Sequence, residues 1–265
     1  MLERFSGATR LYFVVGHPIA QVKAPAGMTR VFEAEGRDAI CIPLEVPPES
    51  FAQALALIRT MGNVDGFAVT IPHKFAAARA CATLAPRAAL LATVNIIRRN
   101  ADGSWHGDML DGVGMVGAIR AKGGIIAGRR VLLAGAGGAG SAIALALLEA
   151  GARDLAVHDA DSARRDALLE KLRGPYGAAA RVGSADPSGF DIVVNATPAG
   201  MAGYDPFPVA ADRLSPDTFV ADAVTLPEIT PLLTQARALG CLTATGVDMF
   251  EAERRSMYAF WFEGA

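Results

Sequence analysis

Short apolar runs alternate with stretches of helical periodicity along the first hundred residues. Residues 11–15, 39–44 and 66–71 are apolar runs of strand length, while residues 25–35 and 51–61 place apolar side chains at helical spacing and stop at Gly36 and Gly62. An alanine-rich stretch over 75–84 predicts another helix, and residues 93–98 and 105–107 predict a hairpin across Asp102-Gly103. The β-α-β-α rhythm describes one α/β unit. After Asp111 the pattern restarts more regularly. Strands are expected at 130–134, 155–157, 192–195, 219–221 and 243–246, and helices at 140–150, 162–172 and 229–239, followed by a final amphipathic helix. Gly151, Gly174 and Gly240 follow these helices, where a residue free to take a left-handed conformation ends a helix. Strands alternating with helices predict a parallel, doubly wound sheet.

The chain has 265 residues, enough for two domains. With no repeat or low-complexity linker, the domains should meet at a tight crossover near Gly112. An apolar fraction of 52% with 7% aromatic residues and 28 glycines predicts closely packed aliphatic layers rather than a disordered or fibrous chain. The net charge is −2 and no basic run exceeds Arg98-Arg99, which argues against nucleic acid and for a small-molecule partner. Cys41, Cys81 and Cys241 form neither a disulfide framework nor a metal site, so a reducing cytoplasm and no metal are expected. Residues 1–10 lack the apolar stretch of a signal peptide. Residues 131–148 carry no charge and follow Arg129-Arg130, as a membrane span would; four glycines within 135–140 instead make the segment strand, turn and helix. No membrane association is expected. Monomer and homodimer are equally compatible with the sequence.

That turn is the first candidate site. Gly135-Ala136-Gly137-Gly138-Ala139-Gly140 follows an apolar strand and opens a helix, the context that makes G-x-G-x-x-G a dinucleotide fingerprint. Asp159 lies about twenty residues further on, at the end of the next strand, where a carboxylate accepts hydrogen bonds from the adenosine ribose. The sequence His158-Asp159-Ala160-Asp161 offers no cation for a 2′-phosphate, so NAD is expected over NADP. Arg164 is the counter-indication; it is expected to stack near the adenine or to be solvated.

Several further segments occur in order along the chain: Gly16-His17-Pro18-Ile19-Ala20, Val69-Thr70-Ile71-Pro72-His73-Lys74, Thr93-Val94-Asn95, Gly107-Asp108-Met109-Leu110-Asp111-Gly112-Val113-Gly114, Asn195-Ala196-Thr197-Pro198-Ala199-Gly200-Met201 and Thr230-Pro231-Leu232-Leu233. In these the chain resembles the shikimate dehydrogenase and quinate/shikimate dehydrogenase family. The resemblance implies an N-terminal α/β substrate domain completed by the C-terminal helix (1–112 and 246–265) and a Rossmann-type domain (113–245) across a cleft. It also implies reversible oxidation of a ring secondary alcohol with NAD or NADP. The family's catalytic lysine and aspartate fall on Lys74 and Asp111. That assignment is chemically sensible, because loss of hydride from an alcohol must be matched by loss of a proton from its oxygen, and a desolvated lysine oriented by a carboxylate can take it. His73 is expected to be a packed neighbour. Thr70 and Asn95 match residues that bind substrate hydroxyls or shape the pocket. Ala196, Thr197, Pro198, Gly246 and Met249 are expected against the cofactor.

The departures predict a changed substrate. The family's Ser-x-Ser pair, which binds the substrate carboxylate, is replaced by Val22 and Ala24. Polar family positions are Ala68, Ile96, Met109 and Leu110 here, a family tyrosine aligns with Thr225, and a substrate-contacting glutamine aligns with Glu253. Lys23, between the lost serines, is an alternative anchor. Three readings follow: an NAD-dependent dehydrogenase of a substrate other than shikimate, a true shikimate or quinate dehydrogenase, and a catalytically idle NAD-binding regulatory protein.

Overall fold

In a computed structural model that describes residues 5–263, the chain divides into two compact units, Met1–Leu110 with Arg254–Ala265 and Asp111–Glu253. The first unit runs β1 (Arg10–Gly16), α1 (Ala24–Ala34), β2 (Ala39–Glu45), α2 (Phe51–Thr60), β3 (Val64–Val69), α3 (Lys74–Ala80), β4 (Thr83–Leu84), α4 (Pro86–Leu91), β5 (Ile96–Arg99) and β6 (Trp105–Asp108). Its sheet has the order β2-β1-β3-β5-β6-β4. The three N-terminal strands are parallel, and β5 runs antiparallel to both β3 and β6.

Pro25 occupies the first turn of α1, where its missing N–H costs nothing, and the helix buries Met28 and Phe32. Phe32 and Tyr12 of β1 meet Trp261, whose ring lies 4.7 Å from that of Tyr12. The Trp261 indole N–H donates to Ile97 O at 3.0 Å, and a Cβ on Gly66 would stand 2.8 Å from the same nitrogen. Residues 254–262 therefore supply part of this unit's core. The helix expected over 75–84 ends at Ala80. Beyond it Ala82 and Ala85 donate to Trp105 O and Gly107 O, so pairing with β6 overrides the helical propensity of the alanines. Pro86 then opens the unforeseen α4.

The second unit runs α5 (Asp111–Ala121), β7 (Arg130–Ala134), α6 (Gly138–Glu149), β8 (Asp154–His158), α7 (Ser162–Tyr176), β9 (Ala180–Val182), β10 (Ile192–Asn195), β11 (Phe219–Asp222), α8 (Pro231–Ala238), β12 (Thr243–Ala244) and the start of α9 (Gly246–Phe262). Its strands are all parallel, in the order β12-β11-β10-β7-β8-β9. This is the doubly wound order of a dinucleotide-binding fold, with the direction of winding reversing between β7 and β10. The uncharged stretch 131–148 is divided between β7 and α6 by the glycine turn. The units divide after Leu110 and inside α9, rather than after Gly112 and before Gly246 as expected. The reason is that α5 packs closely on α6 and α9 from its first turn. A Cβ on Gly112 would lie 2.3 Å from Ala142 O, and one on Gly117 would lie 2.8 Å from Ala252 Cβ.

Candidate active site

The glycine turn lies at the carboxyl end of β7, beside the switch point, where open α/β sheets bind ligands. Each glycine meets a separate steric demand. Gly135 has φ of +104°, and a Cβ there would press on the Ala196 carbonyl at 2.8 Å. A Cβ on Gly137 would meet no atom within 4 Å, so the backbone there is open to close approach by a ligand. A Cβ on Gly140 would lie 2.0 Å from Gly135 O, so only glycine lets the helix sit this near the strand. Gly138 and Ala139, both half-buried, begin α6, and its first N–H groups supply partial positive charge. These features fit the pyrophosphate of a dinucleotide.

Asp159 bridges two backbone segments. Ala136 N–H donates to Oδ2 at 2.7 Å and Asp161 N–H to Oδ1 at 2.8 Å. Arg164, about half exposed, reaches Asp161 Oδ2 at 3.3 Å and Asp159 Oδ1 at 3.9 Å. It is paired with the two carboxylates, and Asp161 also caps α7 by accepting from Arg164 N–H. At the end of β10, Ala196, Thr197 and Pro198 are half-buried and lie against the glycine turn, since a Cβ on Gly135 would also meet Thr197 Cγ2 at 3.0 Å. A Cβ on Gly246 would stand 2.4 Å from Val224 O, which places the start of α9 on the segment after β11 that carries the half-buried Thr225. Met249 is buried on Gly114 of α5, and Glu253, one turn later, is buried beside the same glycine.

In the first unit, Lys74 is buried with 9% exposure and opens α3, directly after β3 and the Thr70–His73 turn. Its carbonyl accepts from Val94 N–H at 3.0 Å. Asn95 ties the neighbouring segments together. Its carbonyl accepts from Val69 N–H, its N–H donates to Asp108 O, and its side-chain oxygen accepts from Leu110 N–H at 2.8 Å. The ends of β3 and β6 are thereby held in fixed relation, and they carry Lys74 and the residue before Asp111. Sequence reasoning gave Asn95 a substrate contact and missed this structural tie. Arg87 grips Asp108 through a two-pronged ion pair at 2.6 and 2.8 Å, fixing α4 to the same strand end. His73 packs as expected, stacked on Phe51 with Nε2–H donating to Val46 O at 2.7 Å; burial pushes its imidazole below the ordinary value. Thr70, Val22 and Ala24 are half-buried and Lys23 is exposed. Ile96, Met109, Leu110 and Ala68 are buried in the interior of the unit. Asp111 is buried at the first position of α5, where the helix N-terminus favours a carboxylate. Among the described residues no cluster of three His, Cys, Asp or Glu could hold a metal ion, and no helix is long and apolar enough to cross a membrane.

Residues 14–97 match the family described as the shikimate dehydrogenase substrate binding domain. A shikimate dehydrogenase (NADP(+)) of Geobacter metallireducens is 34% identical, over 97% of this chain and 92% of that protein. Among solved structures, the 5-ketofructose reductase of Gluconobacter sp. strain CHM43 superposes with a TM-score of 0.82 at 28% identity, covering 97% of this chain and 94% of that one. The shikimate 5-dehydrogenase of Listeria monocytogenes in complex with shikimate and NAD superposes with a TM-score of 0.86 at 26% identity, covering 99% and 95%.

Proposed function

Because the chain belongs to the shikimate dehydrogenase family, and is therefore an oxidoreductase acting on CH–OH groups with a pyridine nucleotide, we propose that it uses NAD in preference to NADP and oxidises a ring secondary alcohol other than shikimate. The observation that carries the substrate reading is the pair Val22 and Ala24, half-buried at the start of α1, where the family's two seryl hydroxyls bind a carboxylate. Neither side chain can donate a hydrogen bond. The buried carboxylate of Glu253 stands in place of a substrate-contacting amide and disfavours an anionic ligand further. That the fold also serves a 5-ketofructose reductase supports a substrate outside the shikimate class.

NAD, when bound, supplies the acceptor for the hydride. The protein's own groups do the rest. The Lys74 amine would accept the proton from the substrate hydroxyl, and the Asp111 carboxylate would orient that hydroxyl. Thr70 and Asn95 line the approach to Lys74. The glycine turn with Ala196, Thr197 and Pro198 would hold the cofactor together with Gly246 and Met249, and Asp159 would accept from the adenosine ribose in the manner expected of an NAD site. Three unpaired cysteines fit a reducing cytoplasm.

A second reading, turnover of shikimate or quinate, is favoured by the relative from Geobacter metallireducens. It requires another carboxylate anchor, and Lys23 is the available cation. Steady-state assays with NAD and NADP against shikimate, quinate and uncharged cyclic alcohols separate the two. Efficient turnover of shikimate would overturn the first reading.

A further inference from the structure

One strand beyond the switch point, a fully buried carboxylate closes β11 with no cationic partner among the described residues. Asp222 has no exposed surface and stands in register with Asn195 of β10. Three neutral donors serve it. Asn195 Nδ2 donates to Oδ1 at 3.0 Å, Val224 N–H to Oδ1 at 2.9 Å and Thr230 Oγ1 to Oδ2 at 2.8 Å. Removing a carboxylate from water into such a place is unfavourable, and an apolar side chain would fill the space with less desolvation. What a carboxylate supplies here is three directed bonds to three different segments.

Those segments are the ones on which the cofactor reading depends. Asn195 Oδ1 accepts from Thr197 N–H at 2.9 Å and from Thr197 Oγ1 at 2.7 Å, while Asn195 Nδ2 also donates to Ala199 O at 3.1 Å. The Thr197 hydroxyl in turn accepts from Ala199 N–H. Thr230 caps α8 by accepting from Leu233 N–H, and a Cβ on Gly200 would touch its Cβ at 3.0 Å. Val224 carries the carbonyl against which Gly246 packs. The turn at 196–199, the segment after β11 and the cap of α8 thus converge on Asp222.

We propose that Asp222 is a positioning residue for the cofactor, its carboxylate fixing the turn that carries Ala196, Thr197 and Pro198 against the segment that carries Thr225. Being fully buried, it acts without touching the nucleotide. The proposal rests on the assignment of residues 196–198 to the cofactor.

The test compares native protein with Asp222→Ala, Asp222→Asn and Val193→Ala, the last a buried β10 position outside the network that lowers stability alone. Hydrogen exchange of the ligand-free proteins is read at the amides of Thr197, Ala199 and Val224, and NAD affinity by calorimetry well below each melting point. Asp222→Ala should lose protection selectively at those amides and bind NAD at least about tenfold more weakly. Asp222→Asn keeps an acceptor for Asn195 and Val224 and can donate to Thr230, so it should stay within about threefold of native affinity. Val193→Ala should change neither quantity selectively. Unchanged protection in Asp222→Ala, unchanged affinity despite lost protection, or an affinity loss matched by Val193→Ala would each overturn the proposal. Native protein that binds neither NAD nor NADP while those amides stay protected would overturn it differently, by removing the cofactor reading beneath it.

Discussion

The Asp159 carboxylate accepts the N–H of Ala136, the second residue of the glycine turn, at 2.7 Å. The residue expected to choose between cofactors therefore also holds the turn proposed to bind either of them. NAD should bind at least about tenfold more tightly than NADP, because a hydrogen bond to a charged group contributes about 1.5–3 kcal/mol and a 2′-phosphate would meet like charge. Asp159→Asn keeps an acceptor for Ala136 while removing the charge, so it should narrow that ratio without abolishing NAD binding. Calorimetric titration of both proteins with both nucleotides measures this; equal affinities in the native protein would refute it.

Lys74→Ala should lower kcat by roughly 10² to 10⁴ and leave NAD affinity nearly unchanged, since the proposed proton transfer at α3 and the proposed nucleotide binding at β7 and β10 depend on different units. Near-native turnover by the variant, measured on a verified substrate, would remove Lys74 from the reaction.

Restoring two hydroxyls should restore a carboxylate site. Each charge-assisted hydrogen bond is worth about 1.5–3 kcal/mol, so Val22→Ser with Ala24→Ser should raise kcat/KM for shikimate by up to about 10² to 10⁴. Native kcat/KM for shikimate should fall below about 10⁴ M⁻¹s⁻¹. A native value above that range would mean that Lys23 or another group binds the carboxylate.

Burial pushes the Asp222 carboxyl up from its ordinary 3.8 to about 6. The folded protein thus holds this proton more tightly than the unfolded chain, so the contribution to stability is present below about pH 4 and is lost as pH rises through about 6. Relative to Asp222→Asn, which does not titrate, native stability should decline between those values by about 3 kcal/mol. Urea denaturation of both proteins across pH 4 to 8 measures the difference, and parallel profiles would contradict it.

Ala92 ends α4 with φ of +55°, the left-handed region, on an exposed site. An L side chain there is strained by roughly 1–2 kcal/mol, partly offset by the greater freedom of glycine when unfolded. Ala92→Gly should therefore raise stability by up to about 1 kcal/mol in chemical denaturation, with no change in kinetic constants.

What could be read from the sequence was whatever a local rule encodes. The glycine turn and Asp159 were legible because the steric demands of G-x-G-x-x-G fall on adjacent residues and the acid lies at a fixed distance beyond them. Lys74 and Asp111 stood out as chemically useful groups ending recognisable segments. The short β4 was hidden because the bonds from Ala82 and Ala85 to β6 come from residues about twenty positions away and outweigh the alanines' preference for helix. Helix α5 was hidden by Gly112, Gly114 and Gly117, which lower helical propensity locally yet are what allow close packing on α6 and α9. The roles of Asn95 and Asp222 were invisible for a related reason. Each is a polar residue at a strand end whose partners arrive only when separate strands align, although an acid ending an apolar run, as Asp222 does, was a signal available to be read.

The Trp261–Ile97 bond joins residues 164 positions apart across the whole intervening unit. During synthesis, residues 5–110 emerge with Tyr12, Phe32 and Gly66 lacking the tryptophan that covers them. At about 5–20 residues per second, the ribosome needs roughly 7 to 30 s to make the intervening chain. Over that interval Tyr12 and Phe32 lack the indole ring that packs on them in the folded protein. The aromatic core of the first unit can therefore close only after residues 254–262 have been made.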